Sequence, residues 1–493
     1  MLRKNQINDI VKTKPVFLFL LPVFFVFHGF IGNYNSVPVN AALLLTIGYI
    51  LSAVVIAGIF WLFYRDLIKA SLIAFLVMAY QFFFGSIQDV LTSYLPQSFI
   101  LRYRFILPVS FLLFLITFIW LKKRKKSLKN LTFYLNIVLL MIILVDSGWL
   151  VTKMTRFEKN KSFYPAEGFT LCDTCSKPDI FLIIADQYSG ETALKKVFNF
   201  DNTPFENELV LRGFHIAKKS SSNYNLTPFS IASTLNMDFL TLKRRPQNYE
   251  DIIYCYQVIR NSRVLKFLTA SHYQFYNCSV FDFEEQPAHK YAFFLHYGIN
   301  LITSQTFTSR VVRDFRSDIL TGKFGVKAQK KIAYEYLHFN DTILDLTRNI
   351  AGQQSAAPKF VYTHLMMPHY PYYFDGKGNP LPLEKLSGIR KTTSNDYIEY
   401  LKYTNRRLLE LVDNILATSP TPPVIMLLGD HGFQIKTDHT YDFINLNAVY
   451  FPDKNYSGFY DTITNVNQFR IIFNTYFDQH LPLLKDSTIN VWY

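Results

Sequence analysis

The sequence predicts an N-terminal bundle of about five transmembrane helices, followed by an α/β domain with a mostly parallel central sheet. Three observations lead to this fold class. Apolar residues make up 50% of the 493-residue chain and crowd its first 150 positions. After residue 177, short apolar runs alternate with helical patterns, as in an α/β domain. The chain is also too long for one compact domain.

Five apolar segments come close to the length of roughly 20 residues that is needed to cross a bilayer. They cover residues 16–31, 41–63, 70–85, 105–121 and 131–150, and Gln81 and Gly85 interrupt the end of the third. Lys12 and Lys14 precede the first segment, as they would in a signal peptide. No small-residue cleavage site follows it, so we expect an uncleaved span.

The basic residues orient these spans, because loops on the cytoplasmic side are rich in Lys and Arg. Such residues lie before the first span, between the second and third, and at 122–129. Arg102 and Arg104 are the exception, because this orientation puts them outside. We therefore expect a multi-pass protein of the cytoplasmic membrane with a periplasmic or extracellular C-terminal domain. The predicted parts are a helical anchor (1–153), a tether (154–176) and the C-terminal domain (177–493). The net charge of +14 is attributed partly to these loops, and nucleic acid is excluded as a partner.

The α/β prediction rests on four short runs that are apolar on both faces, as buried parallel strands are. These runs are 178–185, 359–365, 423–428 and 446–451, and the clearest helical pattern covers 395–417. All four cysteines follow the apolar segments, at positions 172, 175, 255 and 278. An exported domain with four cysteines permits two disulfides in three connectivities. The spacing of Cys172 and Cys175 also fits a redox motif.

Acidic residues and a histidine follow two of these strands. Asp186 comes after the first, and Asp430 and His431 come after the third. In open α/β sheets the ligand site lies beyond the carboxyl ends of the strands. Two carboxylates and an imidazole gathered there indicate a divalent metal ion, with zinc or manganese favoured by the mixed oxygen and nitrogen ligands. The alternatives are a helix cap or turn for Asp186 and a glycine-rich turn for the pair.

Thr227 and Pro228 mark the start of a helix after a polar loop. One interpretation is structural, with Thr227 as the cap and Pro228 as the first helical residue. The other is functional, because a hydroxyl at a helix N-terminus lies where free N–H groups bind phosphate. A metal bound to that hydroxyl would make it a nucleophile.

Taken together, Asp186, Thr227 and the Asp430-His431-Gly432 motif resemble the alkaline phosphatase/sulfatase superfamily over roughly residues 177–477. The apolar N-terminal part resembles the anchors of bacterial phosphoethanolamine transferases and lipoteichoic acid synthases. The resemblance implies that Asp186, Thr227, Asp430 and His431 bind the metal and that Thr227 is the nucleophile. It also implies that a histidine between Thr227 and Asp430 contacts the substrate phosphate or protonates the leaving group.

Three departures from the family pattern qualify this resemblance. The formylglycine motif of sulfatases is missing, since its position reads Thr227-Pro228-Phe229-Ser230. The membrane transferases commonly have Glu where Asp186 stands. The further Asp and two His of two-metal phosphatases are not recognisable as a full set, so we expect one metal ion.

Three further histidines are candidates for contact with the substrate. His369 follows the second predicted strand and is assigned a catalytic role as general acid, which a poor alkoxide leaving group requires. His364, within that strand, is either a hydrogen-bonded core residue or a substrate contact, and His439 is an alternative general acid.

We therefore expect a metal-dependent phospho-group transferase that acts on a membrane lipid or cell-envelope glycan. One alternative is a sulfatase-like phosphodiesterase or sulfuric ester hydrolase with water as acceptor. A second is a non-catalytic membrane receptor on a decayed hydrolase fold.

Overall fold

The computed structural model describes residues 11–491 except 35–36, 96–97, 162–167, 243–246, 248, 284–285, 290–297, 313–336, 387–392 and 435–438. The chain forms two compact units. One consists of Met1–Ser162 with Phe293–Ile319, and the other of Phe163–Ala292 with Leu320–Tyr493. Residues beyond the middle of the sequence therefore belong to the N-terminal unit, which no sequence pattern predicted.

Five apolar helices build the first unit and confirm the predicted bundle. Their bounds are α1 Phe17–Gly32, α2 Val39–Tyr64, α3 Leu67–Tyr94, α4 Tyr103–Lys123 and α5 Lys129–Lys161. The helices α2 to α5 are long and apolar enough to cross a membrane, whereas α1 has 16 residues. Large apolar side chains on α2 and α4 point outward, such as Leu44 at 69% and Phe111 at 66% exposure. A contiguous apolar surface of this kind suits contact with lipid.

Helix α3 is longer than the predicted third span. Asp66 caps its start by accepting hydrogen bonds from the backbone N–H groups of Ile68 and Lys69. Gly85, which indicated an end, lies inside the helix because a neighbouring backbone approaches it there. Its N–H donates to the carbonyl of Gln305 at 2.8 Å, and a Cβ at this position would lie 2.5 Å from that oxygen. The glycine therefore permits close packing and does not end the helix.

Helix α5 contains the predicted boundary at residue 153 and continues to Lys161, so the first part of the predicted tether (154–176) is helical. Further along, Cys172 and Cys175 form a disulfide, while Cys255 and Cys278 are buried free thiols. The structure therefore contains one disulfide and not the two that the cysteine count permits.

The second unit contains a six-stranded sheet in the order β2-β6-β5-β1-β4-β3. The strands are β1 Ile180–Ala185, β2 His215–Ile216, β3 Gln274–Cys278, β4 Lys359–Leu365, β5 Val424–Gly429 and β6 Asn447–Tyr450. The strands β5, β1, β4 and β3 are parallel to one another, whereas β6 and β2 at one side are antiparallel to their neighbours. The predicted mostly parallel sheet is confirmed, and β2 and β3 were missed because their sequences are not uniformly apolar.

Helices surround this sheet. They are α6 Glu191–Phe198, α7 Thr203–Leu211, α8 Thr227–Asn236, α9 Tyr249–Arg260, α10 Arg263–Ala270, α12 Phe339–Ala351, α13 Leu383–Leu386, α14 Ser394–Thr418 and α15 Gln468–Tyr476, while α11 Asn300–Thr303 belongs to the first unit. Every residue of β1, β4 and β5 is buried, as expected for strands covered on both faces. The register pairs Ala185 with both Leu365 and Gly429. The three central strands therefore end together.

Candidate metal centre

The sheet register brings Asp186 and Asp430 to the same edge. Asp186 follows Ala185 and Asp430 follows Gly429, and these two residues are direct partners in adjacent parallel strands. Both carboxylates are completely buried. Oδ1 of Asp430 accepts hydrogen bonds of 2.8 Å from the backbone N–H groups of Gln187 and His431. The convergence predicted from two motifs 244 positions apart is therefore present in the fold.

In the absence of a cation, the pKa values of the two carboxylates shift in opposite directions. Burial, followed by the charge of Asp186, raises the pKa of Asp430. Burial also acts to raise the pKa of Asp186, but His369, His364 and His431 together outweigh it and lower that pKa. Two buried carboxylates this close repel each other when both are ionised.

Each carboxylate has one oxygen that no protein group satisfies. Among the described residues, Oδ1 of Asp186 and Oδ2 of Asp430 are buried without a hydrogen-bond partner. Buried polar atoms are almost always paired, so two orphaned oxygens in one site require an explanation. A divalent cation between them would satisfy both and remove their repulsion. The donor set therefore fits a metal ion.

Thr227 is the first residue of α8, and its side chain faces the carboxylates. Its Oγ1 lies 3.2 Å from Nε2 of His431 and 3.5 Å from Oδ2 of Asp186. Leu226, and not Thr227, is the N-cap, and no side-chain hydrogen bond caps the helix. The prediction of Thr227 as the cap is thus wrong by one position. Because the hydroxyl is not used for capping, it is available to the cluster of acidic residues and histidines.

His431 presents a ring nitrogen with a lone pair to the site. Its Nδ1 lies 2.8 Å from the carbonyl oxygen of Gly432, which can only accept, so Nδ1 carries the proton. In the neutral ring Nε2 is then an acceptor or ligand, and it lies 3.4 Å from Oδ2 of Asp430. Burial acts to lower the pKa of His431. The carboxylates of Asp430 and Asp186 outweigh this effect, so the pKa is raised when no cation is bound.

His364 lies beneath the carboxylates and not in the mouth of the site. It is fully buried, with Nε2 3.2 Å from Oδ2 of Asp186 and Nδ1 2.9 Å from the hydroxyl of Tyr362. Protein groups therefore engage both ring nitrogens, as the alternative of a hydrogen-bonded core histidine expects. Ligand atoms of Asp186, His364 and Asp430 lie within 4.8 Å of one another, a spacing that a metal also permits.

The hydrogen bonds of His364 favour a supporting role over metal ligation. Burial raises the pKa of Tyr362 well above its ordinary value, so its hydroxyl stays protonated. The only hydrogen-bond partner of that hydroxyl in the described part of the chain is Nδ1 of His364. Tyr362 then donates to Nδ1, and Nε2–H donates to Asp186. This chain of donors leaves no lone pair on His364 for a metal.

His369 and His439 occupy different positions around the cluster. His369 is only half-buried, and its charge helps to lower the pKa of Asp186, so it lies near the carboxylates. Its Nδ1 is 2.5 Å from the carbonyl of Tyr370. His439 pairs with the buried carboxylate of Asp442 at 2.8 Å, and that carboxylate acts electrostatically on His431. Of these two histidines, His369 therefore interacts more directly with the carboxylates of the candidate site.

Sequence reasoning missed the residues that hold the site in place. Tyr362 lies two positions before His364 in a strand and so shares its face, a signal that was available. The hydroxyl of Tyr397 donates to the carbonyl of Gln187 and accepts from the N–H of Ser189. No pattern distinguishes Tyr397 among the 32 tyrosines of the chain.

No protein-family model matches the sequence, and no curated protein matches it. Among solved structures, the zinc complex of the C-terminal periplasmic domain of EcEptC from Escherichia coli covers 67% of this chain and 90% of its own, at 11% identity and a TM-score of 0.41. The lipooligosaccharide phosphoethanolamine transferase A (EptA) from Neisseria meningitidis covers 96% of both chains at 10% identity and a TM-score of 0.39. The putative sulfatase yidJ from Bacteroides fragilis covers 65% of this chain and 78% of its own, at 13% identity and a TM-score of 0.37.

These structures are at most 13% identical to this chain. Their low identities and TM-scores leave the function of this chain to be inferred from its own side chains.

Proposed function

We propose that this protein is a metal-dependent transferase of phospho groups that acts on lipid or glycan head groups at the outer face of a membrane. One observation carries the proposal. A helix-terminal hydroxyl, on Thr227, lies within 3.5 Å of both Asp186 and His431, beside two carboxylates with orphaned oxygens. This combination suits a nucleophile that needs a cation to ionise at neutral pH.

The residues that would hold the cation are Asp186, Thr227, Asp430 and His431. A bound zinc or manganese ion would supply the positive charge that lowers the pKa of the Thr227 hydroxyl and offsets charge on the phospho group. The fixed tautomer of His431 keeps the lone pair of Nε2 directed at this position. The backbone N–H groups of Gln187 and His431 hold one oxygen of Asp430, which leaves the other oxygen for the cation.

The proposed transfer has two steps, and side chains of this protein take part in both. Oγ1 of Thr227 gives its proton to water and forms a bond to the phosphorus of a phosphodiester donor, while the bond from phosphorus to the departing alcohol breaks. That alcohol takes a proton from the imidazolium form of His369, with His439 as the alternative donor. An acceptor hydroxyl then gives its proton to the now neutral His369 and attacks the phosphothreonine, and the Thr227 oxygen leaves as an alkoxide. The N-terminus of α8 favours the negative charge throughout.

The apolar helices support a lipid substrate, because they would hold the site near a bilayer surface. The basic residues at 122–129 favour a cytoplasmic position for that loop. With five crossings this orientation puts the second unit outside, although α1 is short for a crossing. The orphaned oxygens do not distinguish a hydroxyl acceptor from water, so a hydrolase remains the alternative outcome of the test.

The test uses the purified full chain with zinc or manganese and phospholipid donors that carry isotopically labelled head groups. Thr227→Ala is expected to lose turnover and the covalent label, whereas Thr227→Ser keeps both because it keeps the hydroxyl. Thr234→Ala is the matched control, since Thr234 lies on the same helix and its hydroxyl donates to the carbonyl of Ser230.

Mass spectrometry of the trapped protein is expected to find the phospho group on residue 227. Undiminished turnover in Thr227→Ala would refute the nucleophile. Label released only as the free phosphorylated head group, whichever alcohol is added, would assign a hydrolase. A protein that binds no metal ion when zinc and manganese are supplied would instead favour the non-catalytic receptor.

A further inference from the structure

A basic pocket lies at one end of the apolar helices, far along the chain from the candidate metal centre. It is formed by the loop between α2 and α3 and the loop between α4 and α5. Its cavity volume is about 630 Å³, which can hold a molecule much larger than a water or a small ion. Nothing in the proposed transfer reaction uses this pocket.

The lining of the pocket carries an unusual excess of positive charge. Seven of its eleven lining residues are Lys or Arg, and Asp66 is the single acid. The carboxylate of Asp66 is already engaged, because Oδ1 accepts from the N–H groups of Ile68 and Lys69 at 2.9 and 3.2 Å. One acid engaged in helix capping cannot neutralise seven cations. The pocket therefore carries a net positive charge, which favours the binding of an anion.

The two loops are tied together, so the pocket is a built concavity and not only a run of surface lysines. Nζ of Lys69 in α3 donates to the carbonyl oxygen of Arg124 in the other loop at 2.8 Å. In the described part of the chain, Nε of Arg124 is buried without a hydrogen-bond partner. Leu128 is buried below the loop and helps to fix its path.

Two tryptophans, Trp61 and Trp120, lie in the last turns of α2 and α4, next to the residues that line this pocket. The guanidinium of Arg124 stacks over Trp120 with 4.6 Å to the ring centroid, and that of Arg65 stacks over Trp61 with 5.0 Å. Tryptophan beside Arg or Lys at the end of an apolar helix is typical of the level at which lipid head groups lie. Exposed apolar side chains of α2 and α4 continue from this level along the helices.

We propose that this pocket binds the phosphate-containing head group of an anionic phospholipid, whose acyl chains lie along α2 and α4. Lys and Arg side chains lining a pocket between membrane helices match a phosphodiester with net negative charge. A free phosphate ion would satisfy the charge but not the adjoining apolar surface. The ligand is therefore a lipid of the leaflet on this side, and not the substrate of the site in the second unit.

The test is native mass spectrometry of the detergent-purified full chain, titrated with phosphatidylglycerol or with phosphatidylcholine of the same acyl chains. The unaltered protein is expected to retain one phosphatidylglycerol at concentrations where phosphatidylcholine does not bind. The double variant Lys125→Gln/Lys126→Gln removes two exposed cations of the pocket and leaves five, so the orientation signal remains. We expect it to bind phosphatidylglycerol roughly 30-fold more weakly, from two lost lysine–lipid interactions.

The control is Lys12→Gln/Lys14→Gln, which removes two charges from the N-terminal segment that do not line the pocket. It is expected to bind phosphatidylglycerol like the unaltered protein. Equal weakening in both variants would overturn the proposal, because it would indicate general charge attraction. Equal binding of the two lipids, or displacement of phosphatidylglycerol by inorganic phosphate at equal concentration, would overturn it as well.

Discussion

The backbone N–H of Gln187 donates a 2.8 Å hydrogen bond to Oδ1 of Asp430, and it reaches that oxygen from a left-handed backbone conformation with φ of 61°. A non-glycine residue rarely adopts this conformation without support. The support comes from Tyr397 on α14, whose hydroxyl donates to the Gln187 carbonyl at 3.0 Å and accepts from the Ser189 N–H at 3.2 Å. One phenol thus holds the loop that orients the carboxylate of Asp430.

The variant Tyr397→Phe is expected to weaken metal affinity by about 10–100-fold, the usual effect of losing a group that orients a ligand. The measurement is a zinc titration of the metal-free protein. Tyr403→Phe is the matched control, because Tyr403 lies on the same helix and its hydroxyl instead receives a 2.7 Å hydrogen bond from Arg407. If Tyr397→Phe and the control bind zinc with equal affinity, the Tyr397 hydroxyl does not orient the metal site.

The variant Asp430→Asn is expected to change thermal stability in opposite directions with and without metal. Burial and the charge of Asp186 raise the pKa of Asp430, so the ionised carboxylate destabilises the metal-free site. Asparagine keeps the acceptor for the two backbone N–H groups and removes the charge. In chelator, the variant should unfold about 2–4 °C above the unaltered protein. In excess zinc the order should reverse, because only the unaltered site binds the ion.

The comparison uses thermal unfolding of both proteins in chelator and in zinc. Asp413→Asn is the control, since Asp413 forms a surface ion pair with Arg212. It should respond to zinc as the unaltered protein does. A zinc-induced increase in Asp430→Asn as large as that of the control would mean that Asp430 is not a ligand.

His364→Gln is expected to retain about tenfold more activity than His364→Asn. The amide nitrogen of Gln reaches the position of Nε2, which donates to Asp186, whereas that of Asn reaches only the position of Nδ1. Steady-state turnover and bound zinc are measured together for both variants. If both variants lose zinc equally, His364 is itself a ligand, and the hydrogen-bond chain from Tyr362 is not its main function.

Glu206 should make the protein less stable as the pH rises. Burial, followed by the charge of Glu191, raises the pKa of Glu206 to about 7 from its ordinary value of 4.5. The folded state therefore binds this proton more tightly than the unfolded state. The resulting stabilisation is complete below pH 4.5 and is lost as the pH rises through 7.

Thermal unfolding at pH 5 and pH 8 tests this expectation. Glu206→Gln should lose about 2–4 °C less than the unaltered protein between these two values. Glu208→Gln, two residues away on the same helix and half-exposed, should follow the unaltered protein. If Glu206→Gln and Glu208→Gln had the same pH dependence, Glu206 would not be the titrating group.

The sequence by itself determined the elements and the main chemical groups of the site. Long apolar segments favoured membrane-type helices, and runs such as 359–365 favoured buried strands, because hydrophobic burial depends on local periodicity and composition. Asp186, Asp430 and His431 stood out because they directly follow such strands, where the edge of a parallel sheet gathers ligands.

Only the tertiary structure decided how these groups interact. The register of β1 with β5 set Asp186 beside Asp430, and strand pairing is a long-range relation that no local pattern encodes. The sequence left His364 as either a core residue or a substrate contact, and only the packed structure shows its full burial and its 3.2 Å contact with Asp186. The hydrogen bond from the Tyr397 hydroxyl to the Gln187 carbonyl and the one from the Gly85 N–H to the Gln305 carbonyl also join distant segments. Such contacts exist only once the whole chain has packed.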